Sequence, residues 1–459
     1  MAPKPREATH TLQEVDDSQN PGAQSQFPLH RFFHNGGFYY LNASAREALP
    51  HYQYKGTDNS LLYQHVLSPL AGWCVEHLTP KTVAPNSITL IGLVFMVASY
   101  GLFWYHVPSL DIAAVEAETG QEVPRWIFLV HGLCMLIYQT LDNMDGKQAR
   151  RTGNSSPLGL LFDHGCDAVN SVFGSANWII GMGLCPSTEL FWVWSIVMGP
   201  YAMFYTSTWE EYYTGELILP IINGPNEGLV GGAMLSFTSW YMGWQWWQST
   251  SGYELLTSSI DSPLLDYIPE LRNCDLLLIS ANIGFWQEVF LKAISVSREY
   301  GAKVLATMAP MATLAASFFI IGRCDAQVFL SLPRTSLNLS MLLFAEMCTQ
   351  MMLSHITHQP FNPWRWQLLP LVGLAAWVAT TTEHSGSSSS TSAITDHFLL
   401  AYAWSMAAYL TMKISLVIHE VCDVLNIWCF DIVTPRHAPN EKASRLGIEN
   451  NSRPRRKQE

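Results

Sequence analysis

Ten stretches of roughly twenty mostly apolar residues govern what this chain can fold into, because each is about as long as a helix must be to cross the hydrocarbon core of a bilayer. They fall at about 88–106, 124–141, 158–181, 188–207, 228–247, 275–297, 304–322, 334–354, 364–381 and 397–419. The sixth is interrupted by Glu288 and Lys292, four residues apart and able to pair across one helical turn. Only 14% of the 459 residues are charged and 49% are hydrophobic, where an ordinary soluble domain carries about 25% charge. The expected architecture is all-α: a polytopic membrane protein with about ten transmembrane helices.

The distribution of charge decides between ten spans and nine. With ten, and the N-terminus in the cytosol, Lys147, Arg150, Arg151, Arg298, Lys303 and the basic tail ending Arg453-Pro-Arg-Arg-Lys457 fall on the cytosolic side. The far-side loops at 248–271 and 382–396 contain no Lys or Arg; Arg323 and Arg334 are exceptions. Nine spans would put the basic tail on the wrong side. A net charge of -12 with no basic stripe excludes a nucleic-acid partner. The nine cysteines form no Cys-x-x-Cys pair, and Cys134, Cys166 and Cys185 in apolar segments read as small buried thiols.

Residues 1–50 are polar, lack a charged-then-apolar leader and read as largely disordered, so membrane insertion is expected to start at the first span. A membrane domain is expected over 51–433 and a disordered basic tail over 434–459. Within the domain, 58–78 carries Leu61, Leu62, Val66, Leu70 and Trp73 at helical spacing, which predicts an amphipathic helix lying in the membrane interface. The serine-rich run Ser385–Ser392 reads as a flexible linker.

Chemistry concentrates at 142–167. Asp142 and Asp145 are three residues apart, Asp163 and Asp167 four apart, so on helices each pair shares a face. Unpaired acids beside membrane spans are costly, and two such faces brought together form an oxygen-rich cage for hard cations, Mg²⁺ or Mn²⁺ and two ions in number. A proton relay or a structural ion site, as in a cation transporter, is the competing reading of the acids alone.

The full pattern, Asp142-x2-Asp145-Gly146-x2-Ala149-Arg150-x8-Gly159-x3-Asp163-x3-Asp167, resembles the signature of the class-I CDP-alcohol phosphotransferase family. Pro85-Asn86-Ser-Ile-Thr89-Leu-Ile-Gly92 is similar to the family's stretch at the start of its first helix. Asp163-His164-Gly165-Cys166-Asp167 and Thr208-Trp209-Glu210-Glu211-Tyr212-Tyr213-Thr214-Gly215 resemble its eukaryotic choline/ethanolamine phosphotransferase branch, and Gly224-Pro225-Asn226-Glu227-Gly228 gives the whole a fungal look. An intramembrane prenyltransferase also holds diphosphates on aspartate-bound Mg²⁺, but without this Gly-x2-Ala-Arg pattern.

The resemblance implies transfer of phosphocholine, and possibly phosphoethanolamine, from CDP-choline or CDP-ethanolamine to diacylglycerol. It implies metal ions on Asp142, Asp145, Asp163 and Asp167, and a CDP-alcohol held by Asn86, Asp142, Gly146, Ala149, Arg150 and Gly159. The small residues let a nucleotide lie against helix backbone, and Arg150 and Lys147 add donors to phosphate. It further implies a homodimer, multi-pass in the endoplasmic reticulum or Golgi membrane, with its active site facing the cytosol. For the base that takes the diacylglycerol proton, His164 is favoured over Asp167, because a carboxylate held by a cation is a poor proton acceptor and an imidazole titrates near the working pH. Trp209, Glu210 and Tyr212 are candidates for the head-group or lipid side, where aromatic faces suit a trimethylammonium.

Each has a plainer reading. Asn86 could cap the first helix, Arg150 and Arg151 could anchor the cytosolic side, and His164 could be a packed helix-start histidine. Glu210 and Glu211 could form a solvated helix end, and His355 and His358 could sit at the interface.

Overall fold

A computed structural model of the chain describes residues 40–258, 269–382 and 389–436. The segment expected to be disordered before Tyr40, nearly all of the basic tail, and residues 385–388 of the serine-rich run lie outside the described residues.

All ten apolar stretches are helical. They correspond to α3 (Pro85–His106), α5 (Trp126–Thr152), α6 (Pro157–Gly181), α7 (Leu190–Thr214), α8 (Leu229–Met242), α10 (Asn273–Tyr300), α11 (Ala309–Cys324), α13 (Pro333–Ile356), α14 (Leu369–Thr382) and α15 (Ser389–Leu425). Shorter helices intervene: α1 (Ala43–Ala48), α2 (Ser68–His77), α4 (Ile112–Thr119), α9 (Ser251–Thr257) and α12 (Gln327–Leu330). Among the described residues, four helical segments are long and apolar enough to cross a membrane: Pro85–His106, Asn273–Tyr300, Ala302–Cys324 and Pro333–Ile356. The fifth stretch is two pieces. Gly243, at a φ of 87° that few other residues tolerate, stops α8, and the chain continues as a tight turn over Trp244–Gln248.

The core runs through the middle of the bundle, with Met96, Tyr100 and Phe103 of α3, Phe128 of α5, Phe173 of α6, Tyr201 of α7 and Phe344 of α13 all buried. Tyr201 and Phe344 stack with centroids 3.9 Å apart. Outward faces are also apolar: Ile91, Val94 and Val97 on α3 and Ile283, Phe290 and Leu291 on α10 are exposed. A water-facing bundle would not carry patches of this kind. Arg334, an exception in the charge distribution, is buried. Its guanidinium donates to the carbonyls of Phe103 and Val107 at the end of α3 and lies 5.0 Å from the Tyr100 ring centroid. It serves as a helix cap, which gives this cation a structural role.

The sequence pattern did not anticipate a small parallel sheet. β1 (Gly56–Asp58) pairs with β2 (Leu217–Leu219), joining the N-terminal segment to the connection after α7. The Gly224–Gly228 turn clamps this join. Asn226 Nδ2 donates to Asp58 at 2.7 Å, Ser60 Oγ donates to Glu227 at 2.5 Å, and Gln139 of α5 donates to the carbonyls of Pro225 and Asn226. A helical stretch follows β1 and leads through Tyr63–Leu67 into α2; Leu61, Val66, Leu70 and Trp73 are exposed along it. Upstream, Leu41 and Leu49 pack with Leu353 and Ile356 of α13 and Val417 and Val421 of α15. The chain from Leu49 to Asp58 thus bridges from α13 and α15 to β2.

Candidate active site

A helical hairpin builds the site. α5 ends at Gly153, in the left-handed conformation (φ 71°), whose N–H returns to the carbonyls of Ala149 and Arg150. Three residues later Ser156 caps α6, its hydroxyl accepting from the Gly159 N–H, with Pro157 in the first helical position. So tight a reversal sets the last turns of α5 beside the first turns of α6. Oxygen atoms of Asp142, Asp163 and Asp167 come within 4.8 Å of one another. All three side chains are half-buried. Asp142 Oδ1 and Asp163 Oδ1 have no hydrogen-bond partner among the described residues.

Asp145, the fourth acid, sits one turn along α5 and close to Asp163, but outside that tight trio. Its carboxylate accepts the hydroxyl of Thr89, so the first turns of α3 form a third wall. The Tyr138 hydroxyl donates to Asp167. Carboxylates this close repel one another, and the neutral donors Thr89 and Tyr138 offset little of that charge. Orphaned oxygens, an all-oxygen donor set and no thiolate or imidazole in the trio fit a hard divalent cation.

Gly146 and Gly159 leave room where the signature requires it. A Cβ at Gly146 would meet only the Arg150 guanidinium, at 3.4 Å, and one at Gly159 would find Asn86 Oδ1 at 3.7 Å and Ser156 Oγ at 3.8 Å. Ala149 is half-buried on the same helix, and Arg150 is exposed. Asn86 does not cap α3: its amide donates to the carbonyl of Cys429 at 3.0 Å, tying the segment after α15 to the site. Phe162 and Phe430 meet edge-on there, 5.5 Å apart. This C-terminal wall was not anticipated, and no local motif announces it.

Other basic residues of the motif have structural partners. Lys147 donates to Ser68 at 2.7 Å, and Arg151 donates to the carbonyls of Val75 and Thr79, so both hold α2 against α5. Arg151 is thereby a helix cap rather than a free surface charge. His164 lies in the second turn of α6, not at the helix start, edge-on to Phe204 (6.0 Å); its Nδ1 is buried without a partner among the described residues.

The expected head-group residues are otherwise engaged. Trp209 is 0% exposed and donates to Thr307 Oγ1 at 2.7 Å, so no ring face is open to a ligand. Glu210 is not a solvated helix end: it pairs with Lys292 at 2.8 Å. The Tyr212 hydroxyl accepts from the Phe361 N–H at 2.9 Å and donates to the Gln359 carbonyl. Glu211, which the same helix turns the other way, is 1% exposed, and neither oxygen has a hydrogen-bond partner among the described residues. His355 Nε2 stands 3.7 Å from Glu211 Oε1 and 3.1 Å from the Tyr52 hydroxyl. His355 is therefore buried inside the protein rather than interfacial.

Comparison with known proteins points the same way. Residues 82–244, which contain the whole hairpin, match the profile of the CDP-alcohol phosphatidyltransferase family. Choline/ethanolaminephosphotransferase 2 of Arabidopsis thaliana is 31% identical over 412 residues, covering 86% of this chain and 98% of the plant protein. Choline/ethanolaminephosphotransferase 1 of Saccharomyces cerevisiae is 36% identical over 201 residues, 42% of this chain and 46% of its own length. Cholinephosphotransferase 1 of the same yeast is 34% identical over 196 residues, again 42% and 46%.

Proposed function

The chain belongs to the CDP-alcohol phosphatidyltransferase family, and on that premise we propose that it transfers phosphocholine, with phosphoethanolamine as a second head group, from the CDP ester to diacylglycerol. The products are CMP and phosphatidylcholine or phosphatidylethanolamine, the last step in making either lipid. One observation carries the reading: Asp142, Asp163 and Asp167 converge across the hairpin with oxygens left unpartnered. The relatives give no support to an intramembrane prenyltransferase or a cation transporter.

Asp142, Asp163 and Asp167, with Asp145 beside them, are the residues to hold Mg²⁺ or Mn²⁺, and we read the site as taking two ions. Bound there, divalent cations would screen the diphosphate and stabilise the departing phosphate of CMP. The chain's own groups do the rest. Gly146, Ala149 and Gly159 let the nucleotide lie on helix backbone, Asn86 marks its edge, and Arg150, free of ion pairs among the described residues, reaches phosphate. His164 takes the proton of the diacylglycerol hydroxyl at its unpartnered Nδ1. Asp167, whose carboxylate is already held by Tyr138, is the weaker acceptor.

We read all ten apolar helices as spanning the bilayer, supported by their lipid-like outer faces, and the exposed stripe of Leu61, Val66, Leu70 and Trp73 as lying in the interface. Lys147, Arg150 and Arg151 at the ends of α5 favour a site facing the cytosol, on endoplasmic reticulum or Golgi membranes. A homodimer completes the proposal and is checked by the mass of the detergent-solubilised particle. The test of function is direct: purified protein is given diacylglycerol, Mg²⁺ and CDP-choline with CDP-ethanolamine in competition. Formation of phosphatidylcholine with release of CMP is expected; no lipid product from either donor would refute the reading.

A further inference from the structure

The end of α7 is short of a cation. Among the described residues, Glu210 and, from α10, Glu288 share the ammonium of Lys292, while Glu211 is turned away from it. Lys292 is occupied by Glu210 at 2.8 Å and Glu288 at 3.4 Å, and also donates to Ser207 and the Ile218 carbonyl. Glu211 is left over, with His355 at 3.7 Å as its nearest ion-pair partner. A carboxylate buried this deeply without a hydrogen bond is costly unless something positive meets it.

What surrounds Glu211 suits an organic cation. Tyr52 bonds to His355, and the two rings meet edge-on with centroids 5.3 Å apart. Tyr54 stands two residues beyond Tyr52 on the same segment, with its ring exposed. Its phenol is neutral at working pH, so the ring offers an electron-rich face. Residues 52–55 adopt no regular structure between His51 and β1, and Gly56 lets the Tyr54 ring fold back over the chain: a Cβ there would lie 2.2 Å from the Tyr54 hydroxyl. The segment is held at both ends, by Tyr52 on His355 and by the Lys55 carbonyl accepting from the Leu217 N–H at 3.0 Å.

We propose that Glu211, with the rings of Tyr52 and Tyr54, receives the ammonium end of the CDP-alcohol and sets how choline and ethanolamine head groups compete. The inference rests on the transferase reading. A CDP-alcohol carries its negative charge on the diphosphate and its positive charge two carbons beyond it. The acids of α5 and α6 answer the first through their cations, and Glu211 answers the second. A trimethylammonium, which has no N–H to donate, depends on the aromatic faces, whereas a primary ammonium can hydrogen-bond the carboxylate.

The test compares ligands with and without the ammonium. Binding of CDP-choline, CDP-ethanolamine and CDP is measured on purified full-length protein in lipid nanodiscs with Mg²⁺. Glu211→Gln is expected to weaken both CDP-alcohols by about ten-fold or more while leaving CDP unchanged. Tyr54→Leu should weaken CDP-choline more than CDP-ethanolamine, and Tyr54→Phe, which keeps the ring, should restore wild-type preference. Because Tyr54 is half-exposed, its variants carry the test even where Glu211→Gln does not fold. Equal weakening of CDP and the CDP-alcohols, or an unchanged choline-to-ethanolamine ratio in Tyr54→Leu, would overturn the assignment. Wild-type protein that binds CDP-alcohols yet makes no lipid would instead overturn the transferase reading beneath it.

Discussion

Two clusters of charge, one centred on Glu346 of α13 and one in the α5–α6 hairpin, have opposite logic. Glu346 is 0% exposed, yet every demand it makes is met: Arg365 grips it, Lys413 donates at 2.9 Å and Gln367 at 3.1 Å. Asp142, Asp163 and Asp167 instead crowd together, and among the described residues two of their oxygens are unpartnered and Tyr138 alone donates to the trio. The first cluster is complete within the chain and fixes how α13, α14 and α15 sit together. The second is incomplete and calls for a ligand. On the proposed reading, the saturated charge is structural and the unsaturated charge, set by the hairpin, is functional.

Breaking either cluster should therefore give opposite profiles. Asp142→Asn or Asp163→Asn is expected to lower lipid synthesis by about 10³-fold or more, while thermal stability without Mg²⁺ stays level or rises as like charges are relieved. The check is turnover and melting temperature on the same preparation; a collapse in stability would make the trio structural. His164→Ala comes next, with turnover lower by about 10²–10⁴-fold and CDP-alcohol binding retained. Near-normal turnover across pH 6 to 9 would move the proton to Asp167.

Glu346→Gln is the converse. It strands Arg365 and Lys413 in the bundle and should cost about 3–5 kcal/mol, seen as a fall in melting temperature and yield, with activity per folded molecule preserved. The smallest change sharpens the site side alone. Ala149→Leu should raise the KM for the CDP-alcohol about ten-fold, the effect of roughly one or two kcal/mol of crowding, while the KM for diacylglycerol stays put. Equal loss for both substrates would mean a disturbed helix pair.

Why the two clusters differ also explains what the sequence could disclose. The acids of 142–167 are legible because two adjacent helices and a short turn create the site: Gly153, Ser156 and Pro157 mark the reversal, and spacing puts each Asp pair on one face. Helix positions were legible too, since runs of about twenty apolar residues leave little alternative. The Glu346–Arg365–Lys413 triad was not, because its members are 19 and 67 residues apart and meet only through packing. The same holds for the Cys429 contact to Asn86 and for the β1–β2 join, both long-range pairings with no local signature. Trp209 misled because an aromatic in a motif looks the same in one dimension whether its face is open or buried against Thr307. Glu210 and Glu211 differ by one position, about 100° around a helix, and only the packing of α10 tells which is neutralised by Lys292.

On the proposed reading the unsaturated acids hold a cation that the saturated ones do not need. Titration of Mn²⁺ into purified protein, followed by electron paramagnetic resonance of the free ion, measures this without relying on turnover. Wild type and Glu346→Gln should bind Mn²⁺ alike, and Asp142→Asn combined with Asp163→Asn should bind essentially none. Undiminished Mn²⁺ binding in that double variant would place the cation away from the hairpin acids.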